Sequence, residues 1–439
     1  MTLKRPINAD VPETPAKGPE SPRKVDPPRE EAPRKETMPR KPGSPKLLAA
    51  LVVLAVIFIV IAIIGGTGGG DSSTSETPAP TPAQKPAEAA GDQTSEQLGY
   101  PAFATSNTTR IGGSDPVANA AGAALAVFPS TAPAQRPAAV TVVGEEDWAG
   151  AIAAAVLMAA PVRAPILFSG SEEMPAVSEE ALAALDPQGS AGTGEASLFA
   201  IGAVAYPGKA APVDPGDPAA TAARIFDLRE RLAGSPPQHI VVAPASSPDF
   251  AMPAAAWAAR SGDPVLYADP KQLPEPTAAA LKAHPKVPVY VLGPSSAISS
   301  EVVREIAGIS KQVKRVSGED PIANALAFAR YRDGSFGWNI NDPGHGFVLA
   351  RSDSPADAAA AAPLSASGTW GPLLLTDDSE ALPREVRSYL LDVKPGYTTD
   401  PTRAFYNHVW VIGDEDAVGV EQQAEVNELA ELAKIGGRE

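Results

Sequence analysis

The chain has 439 residues, enough for two or three domains, and 48 of them are proline. It contains no cysteine, which excludes disulfide bonds and thiolate chemistry. The formal net charge of −16 is unevenly spread: residues 1–46 carry 11 Lys or Arg against 7 Asp or Glu, and the rest carries 25 basic and 45 acidic residues, a net −20. No nucleic-acid partner is expected for this acidic part, because binding to phosphates requires a basic field.

Residues 1–46 are rich in proline and basic side chains and poor in aromatic ones, which predicts a disordered tail. The run from Leu47 to Ile64 follows, with 18 residues and no polar side chain. At about 1.5 Å per residue, a helix of this length reaches roughly 27 Å, enough to cross a bilayer. Lys41 and Lys46 precede it, so the positive-inside rule predicts a single-pass transmembrane helix in the cell membrane, with a cytoplasmic N-terminus and an extracytoplasmic C-terminal part.

A cleaved signal peptide is the alternative interpretation of residues 47–64. The retained anchor is favoured, because the apolar run is longer than a signal-peptide core and the tail before it is long. Residues 65–108, with an acidic stretch rich in Thr and Pro, are predicted to be a disordered extracytoplasmic linker.

Three sequence blocks recur in the same order beyond this linker. The first is an Asp-Pro pair before an alanine-rich segment, at residues 115, 217 and 320, so the steps are 102 and 103 residues. Around two of these pairs the pattern R-[IV]-x-G-x-D-P-[VI]-A-N-A recurs. The other two blocks are a proline-led apolar run (165–168, 264–267, 372–375) and an apolar run that ends in glycine (198–202, 289–293, 409–413). Three ordered blocks in three copies indicate a tandem repeat.

The apolar runs lack polar alternation, which is typical of parallel strands buried on both faces, and the alanine-rich segments between them predict helices. The predicted fold class is therefore α/β, with three tandem three-layer units built on parallel sheets. The predicted boundaries are residues 109–210, 211–310 and 311–439. Two insertions in the third copy, at about residues 332–346 and 393–407, are predicted to be surface loops.

The repeated blocks resemble the cell wall-binding repeat 2 family over roughly residues 109–435. Members typically carry three repeats and are anchored to, or displayed on, Gram-positive envelopes. The resemblance implies Rossmann- or Toprim-like units around a pseudo-threefold axis. The chain departs from the family pattern where Pro116 and Pro321 replace an Arg and where Asn119 and Asn324 replace a Thr, and its second copy is degenerate at its start.

The candidate polymer-binding residues come from repeated positions. Arg110 and Arg315 could hold an anionic group of a wall polymer by charge-assisted bonds, or pair internally with an Asp. The proline-led runs match the Ile-Leu-Leu stretch that the resemblance associates with polymer binding, although physics alone makes them buried strand core. With the two asparagines, the candidate set is Arg110, Asn119, Ile166, Leu167, Val265, Leu266, Arg315, Asn324, Leu373 and Leu374.

Acidic residues occupy two kinds of position. The Asp of each Asp-Pro pair is predicted to cap the helix that follows, since Pro favours the first helical position. Asp414 and Asp416 follow a predicted strand, where a divalent cation or a solvated loop are the alternatives. The four histidines show no metal-binding spacing, and the sequence has no nucleophile elbow and no Walker loop.

These observations favour a non-enzymatic, membrane-anchored envelope protein that binds a cell-wall glycopolymer or an envelope protein and needs no cofactor. One alternative is an envelope hydrolase or other enzyme that uses acids of the third copy such as Asp353, Asp357 or Asp414. Another is a regulator that binds a membrane-bound envelope enzyme.

Overall fold

The structure is a computed structural model that describes residues 103–436. The predicted tail (1–46), the predicted transmembrane helix (47–64) and most of the predicted linker lie outside the described residues. Within residues 103–436, no helix is both long enough and apolar enough to cross a membrane.

The described region alternates short strands with short helices. The strands are β1 (Phe103–Ala104), β2 (Thr108–Ile111), β3 (Val140–Gly144), β4 (Ile166–Ser169), β5 (Leu198–Ile201), β6 (Ala211–Val213), β7 (Ile240–Pro244), β8 (Val265–Ala268), β9 (Val289–Leu292), β10 (Val313–Val316), β11 (Gly346–Arg351), β12 (Leu373–Thr376), β13 (Gly396–Tyr397), β14 (His408–Ile412) and β15 (Ala433–Lys434). The helices are α1 (Pro116–Val127), α2 (Trp148–Ala154), α3 (Ala176–Leu185), α4 (Pro218–Ala233), α5 (Pro248–Ala251), α6 (Pro253–Ser261), α7 (Glu275–Ala283), α8 (Ser300–Ile309), α9 (Pro321–Arg330), α10 (Pro355–Ala360), α11 (Ala362–Ala366), α12 (Arg384–Asp392) and α13 (Val420–Ala430).

Three sheets share one strand order, which confirms the predicted α/β class with parallel sheets and repeated units. The orders are β4-β3-β5-β6, β8-β7-β9-β10 and β12-β11-β14-β2-β1. All pairings in them are parallel except that of β1 with β2. The inner strands β5 and β9 are buried on both faces, as their unbroken apolar runs predicted, whereas β14 is half-buried at His408 and Trp410.

The fourth strands of the first and second sheets come from the next copy along the chain, and the third sheet takes its fourth strand from the beginning of the described region. Thr108 of β2 pairs with Val409 of β14, and Ile111 pairs with Ile412. The predicted linker therefore ends too late, because residues 103–104 and 108 already belong to strands. The predicted boundaries at residues 211 and 311 likewise assign β6 and β10 to the following copy, although these strands complete the first and second sheets.

Alanine-rich helices fill the space between the sheets. Helices α2, α6 and α10 contact one another pairwise, and α11 packs on α6. Their alanines are almost all buried, and small side chains allow helices to approach closely. The predicted helix caps are confirmed: Asp115, Asp217 and Asp320 accept the amides of the third helical residues at 2.9, 2.8 and 2.7 Å.

The first insertion of the third copy is not the surface loop that was predicted. Phe336, Trp338 and Ile340 are at most 5% exposed, and the Tyr389 hydroxyl donates to the Ile340 carbonyl at 3.0 Å. Phe336 stacks on Tyr290 of β9, with the ring centroids 3.5 Å apart. The insertion is therefore a packed connection between the second and third sheets. The second insertion does contain exposed aromatic side chains, Phe405 and Tyr406.

The first sheet differs from the other two in one connection. In the second sheet α8 joins the third strand to the fourth, and in the third sheet α13 follows β14. Residues 202–210, which join β5 to β6, form no helix. This leaves the carboxyl end of the first sheet more open than its counterparts.

Candidate functional site

The carboxyl ends of the parallel strands are the natural place for a site in such sheets, because loops and helix N-termini converge there. Each of the three sheets has one such end. The repeated arginines, Arg110 and Arg315, close two of these three ends.

Arg110 closes the carboxyl end of the third sheet. It lies in β2, is 2% exposed, and donates to the carbonyl oxygens of Gly413 (2.8 Å), Asp414 (2.7 Å) and Val418 (2.6 Å). Its Nε also donates to the Gln423 side chain at 2.9 Å. Burial lowers the pKa of Arg110 from its usual value, and the nearby carboxylates of Glu415 and Asp414 oppose that shift. The guanidinium is fully engaged inside the protein, so it cannot hold a polymer in this conformation.

Arg315 makes the same arrangement in the second sheet. It donates to the carbonyl oxygens of Gly293 (2.6 Å) and Ile298 (2.7 Å), which are five residues apart as Gly413 and Val418 are. Both arginines therefore bind internally, but the partners that they have in common are backbone carbonyl groups. The predicted aspartate partners are engaged as helix caps instead.

Pro212 occupies the equivalent position in the first sheet. It is paired with Ala200 of β5, as Arg315 is paired with Val291 and Arg110 with Val411. Proline has no guanidinium to hold the loop after β5. Together with the missing helix, this leaves a cleft of about 420 Å³, here called the edge cleft. It is lined by residues 144–147, 169–171, 201–204, 215–216 and 221.

The edge cleft presents hydrogen-bonding groups of mainly acidic character. Glu145 and Glu146 are exposed at its rim, and Asp147 lies deeper. Burial raises the pKa of Asp147, while the bond that its carboxylate accepts from the Gly150 amide, at 2.8 Å, opposes that shift. Ser169 donates to the Ala205 carbonyl at 2.7 Å and so fixes the loop. Such a lining suits hydroxyl or ammonium groups and repels anions.

The apolar candidates for polymer binding lie in the core and do not reach the surface. Each is at most 1% exposed, in β4, β8 and β12: Ile166, Leu167, Val265, Leu266, Leu373 and Leu374. Their burial between helix layers explains their repetition, because the equivalent strand of every sheet needs the same apolar side chains. Direct contact with a polymer is therefore corrected to a core role.

The two candidate asparagines are also buried. Asn119 donates to the Asp357 carboxylate at 3.0 Å, and so joins α1 to α10. Asn324 accepts the Gly318 amide and donates to the Phe250 carbonyl, each at 3.3 Å. Asn119 ties its helix to a neighbouring one, Asn324 ties its arginine turn to the segment at Phe250, and neither lines the edge cleft.

The acidic positions of the third copy do not converge. Asp414 accepts the amides of Asp416 and Ala417 at 3.1 Å each, as a turn-capping side chain does. Across residues 103–436, no group of three His, Asp or Glu side chains could hold a metal ion. Asp353 is paired with Arg351 at 2.8 Å, and burial raises the pKa of Asp357 to about 6.

The edge cleft was missed at the level of sequence, although a signal for it was present. The pattern that carries Arg110 and Arg315 reads Pro212-Val213-Asp214-Pro215 in the second copy, and the Gly- and Pro-containing stretch 202–210 has no helical period. A departure from the repeat therefore marks the open edge.

The architecture defines a class of repetitive α/β proteins with parallel sheets, and the comparisons agree with it. The family model of cell wall binding domain 2 (CWB2) matches residues 216–303 and 315–422. The matches fall on the second and third copies, so the second copy is recognisable despite its degenerate start. No curated protein matches the chain in sequence.

Two solved structures show the same fold. Cwp6 from Clostridium difficile is similar with a TM-score of 0.59 at 18% identity, over 74% of this chain and 48% of that one. Cwp8 from the same organism has a TM-score of 0.56 at 19% identity, over 74% of this chain and 52% of that one. The chain thus spans about half the length of the solved structures that it matches.

Proposed function

We propose that this chain is a cell-envelope protein whose described α/β region binds a cell-wall polymer. The observation that carries the proposal is the match of the cell wall binding domain model to two consecutive copies. The binding role requires no catalysis. Of the acids considered for an enzyme in the third copy, Asp414 caps a turn, Asp353 pairs with Arg351, and Asp357 is buried.

The edge cleft is the proposed contact surface. The equivalent ends of the other sheets are closed by Arg110 and Arg315, whereas this one is open and about 420 Å³ in volume. Its carboxylates and hydroxyl groups suit a saccharide that offers hydroxyl or amino groups. An anionic section of polymer is disfavoured there, because the part of the chain after residue 46 carries a net −20.

We further propose that residues 47–64 anchor the chain in the cell membrane, with residues 1–46 in the cytoplasm and the α/β region on the wall side. The uncharged run of 18 residues, preceded by lysines, supports this placement. Protease added to wall-stripped cells should digest the α/β region and spare the first 46 residues. Release of a mature form that lacks residues 47–64 would contradict the anchor.

The test of binding is co-sedimentation of the full chain, purified in mild detergent, with native walls and with walls stripped of their glycopolymer. Binding to native walls and loss of binding to stripped walls are expected. Equal retention by both, or retention by neither, would contradict polymer binding. A partner retained only when wall proteins are present would favour the alternative, a contact with an envelope protein.

A further inference from the structure

Three polar side chains form consecutive hydrogen-bond contacts at the amino-terminal end of the second sheet. This end is opposite to the carboxyl ends described above. The Ser335 Oγ lies 3.2 Å from the His239 Nε2. The His239 Nδ1 lies 2.9 Å from the Asp263 Oδ2. The order serine, imidazole, carboxylate is that of a nucleophile, a general base and the group that orients the base.

The carboxylate fixes the tautomer of the histidine. Asp263 accepts the Trp257 indole N–H at 2.9 Å and the backbone amide of His239 at 3.0 Å, and it is 2% exposed. Since an ionised carboxylate can only accept, the His239 Nδ1 carries the proton in this pair. In the neutral imidazole, the Nε2 then has its lone pair free to accept the proton of Ser335, as a general base must.

Ser335 is held in place by a tight hairpin turn. Asp333 and Phe336 exchange backbone hydrogen bonds of 2.8 and 3.0 Å, with Gly334 at φ +63° between them. Phe336 stacks on Tyr290, and the Tyr290 hydroxyl donates to Asp333 at 2.7 Å. Ser335 is therefore an exposed residue at the tip of an anchored turn, next to a histidine that is 7% exposed.

These residues open into a cleft that could receive a small substrate. It has a volume of about 440 Å³ and is lined in part by Gln238, Arg260 and Trp370, besides the three residues in line. The Arg260 guanidinium lies 4.3 Å from the centroid of the Trp370 ring, which it covers. Gln238 and Arg260 supply N–H donors at the cleft, the type of group that stabilises an oxyanion.

We propose that Ser335, His239 and Asp263 form a serine-hydrolase triad that cleaves short acyl esters. The Ser335 Oγ attacks the ester carbonyl carbon and passes its proton to the His239 Nε2. The bond from that carbon to the alcohol oxygen breaks, and the alcohol leaves with the proton from His239. Water then attacks the acyl carbon and gives a proton to the His239 Nε2. The bond from that carbon to the Ser335 Oγ breaks, and His239 returns the proton to Oγ, which releases the carboxylic acid and restores the serine. Asp263 is a positioning residue throughout.

This activity lies beyond the proposed binding function and departs from the expectation of a purely non-enzymatic protein. The edge cleft is at the carboxyl end of the first sheet, whereas the triad precedes β7 and β8 of the second. Hydrolysis and wall binding can therefore fail independently of each other.

The test is covalent labelling of the full chain in mild detergent with a fluorophosphonate probe, followed by peptide mass spectrometry. One adduct on Ser335 is expected, lost in Ser335→Ala and formed at least about 100-fold more slowly in His239→Gln, because the serine is then not deprotonated. Ser246→Ala, which removes an exposed serine near the carboxyl end of the same sheet, should label like the unaltered chain. No labelling, or labelling unchanged by Ser335→Ala, would overturn the triad.

A second measurement uses the absence of cysteine. Ser335→Cys places a single thiol in the chain, and its alkylation by iodoacetamide reports the reactivity of that position without background. Adding His239→Gln should slow alkylation at least about tenfold, because the imidazole no longer favours the thiolate. Equal rates in the two variants would mean that His239 and Asp263 only attach the hairpin to the second sheet, and the proposal would be wrong.

Discussion

The Arg110 guanidinium donates to the carbonyl oxygen of Val418 at 2.6 Å, although the two residues lie near opposite ends of the described chain. The contact joins β2 to the turn before α13 and so completes the third sheet. A side chain that the sequence offered as a ligand for a wall polymer is thus a structural link within the protein.

Removing the Arg110 side chain should destabilise the fold more than removing the equivalent Arg315 side chain. Arg110→Ala leaves three carbonyl groups and Gln423 without their buried donor, and we expect a loss of about 3–5 kcal/mol in the free energy of unfolding. Arg315→Ala removes two bonds at a half-buried position, and about 1–2 kcal/mol is expected. Urea denaturation measures both. Arg304→Ala on the surface is the control, and loss of wall binding by Arg110→Ala without loss of stability would contradict this role.

Asp357 should make stability fall as pH rises. Burial raises its pKa to about 6 in the folded protein, from an ordinary value of 3.8, so the folded state binds the proton more tightly than the unfolded state. Ionisation of this buried carboxyl therefore costs no stability below about pH 4. Above about pH 6 it lowers the free energy of unfolding by the full amount, about 3 kcal/mol. Asp357→Asn should unfold at higher urea concentration than the unaltered chain at pH 7.5 and at a similar concentration at pH 4.

Asp353→Asn is the matched control for that experiment, with the opposite sign. Arg351 lowers the pKa of Asp353, so this pair stabilises above the ordinary pKa of the carboxyl and is lost as pH falls. Its removal should lower stability slightly at pH 7.5 and not in acid. Equal destabilisation by Asp357→Asn at both pH values would contradict this prediction. It would mean that the Asp357 carboxyl stabilises the fold by accepting the Asn119 hydrogen bond.

The pairing of β2 with β14 can be tested by a crosslink, because the chain offers no competing thiol. Thr109 and Trp410 are partners in the parallel register, so Thr109→Cys with Trp410→Cys should form a disulfide on oxidation. The disulfide would close a very long loop. Because it reduces the entropy of the unfolded chain, it should raise the free energy of unfolding by about 5 kcal/mol. A mobility shift on a non-reducing gel measures closure. Thr109→Cys with Lys314→Cys of the second sheet should give no intramolecular bond, and its formation would refute the strand order.

Filling the edge cleft should weaken wall binding without unfolding the protein. Ala203 is exposed at the cleft, so Ala203→Trp adds bulk where no core contact is disturbed. We expect retention on native walls to fall at least about tenfold, with an unchanged midpoint of thermal unfolding. Ser295→Trp places the same ring on the equivalent loop of the second sheet, which Arg315 closes, and should bind normally. If both variants bound equally well, the contact surface would lie elsewhere.

The sequence predicted the inner strands and their helices because each carries a strong local signal. Runs such as Val289–Leu292 are continuously apolar, and the capping Asp before each Pro marks where a helix begins. The fourth strands escaped prediction because they are short and partly polar: Val313–Val316 includes a Lys and an Arg, and Ala211–Val213 includes a Pro. Their strand character comes from the neighbouring sheet.

The sites were less predictable than the fold for a related reason. Repetition makes a residue a candidate for ligand binding or for an internal contact, and Arg110 and Leu167 recur because equivalent units need equivalent internal contacts. The line of Ser335, His239 and Asp263 joins residues from two copies and carries no local motif, so only the folded chain brings them together.

The position of β2 between β1 and β14 also sets an order of events during synthesis. β1 and β2 emerge from the ribosome before the rest of the α/β region, but β14, the parallel partner of β2, emerges near the end of that region. Until then the edge of β2 that pairs with β14 presents unpaired backbone N–H and C=O groups. Helix α1 therefore follows a strand that is not yet part of the third sheet. The first two sheets can form as they are made, whereas the third waits for a contact between distant parts of the chain, which is the slow kind of step in folding. A chain stalled before β14 should thus hold two finished sheets and the separate pairs β1–β2 and β11–β12, whose open edges could pair with a neighbouring copy.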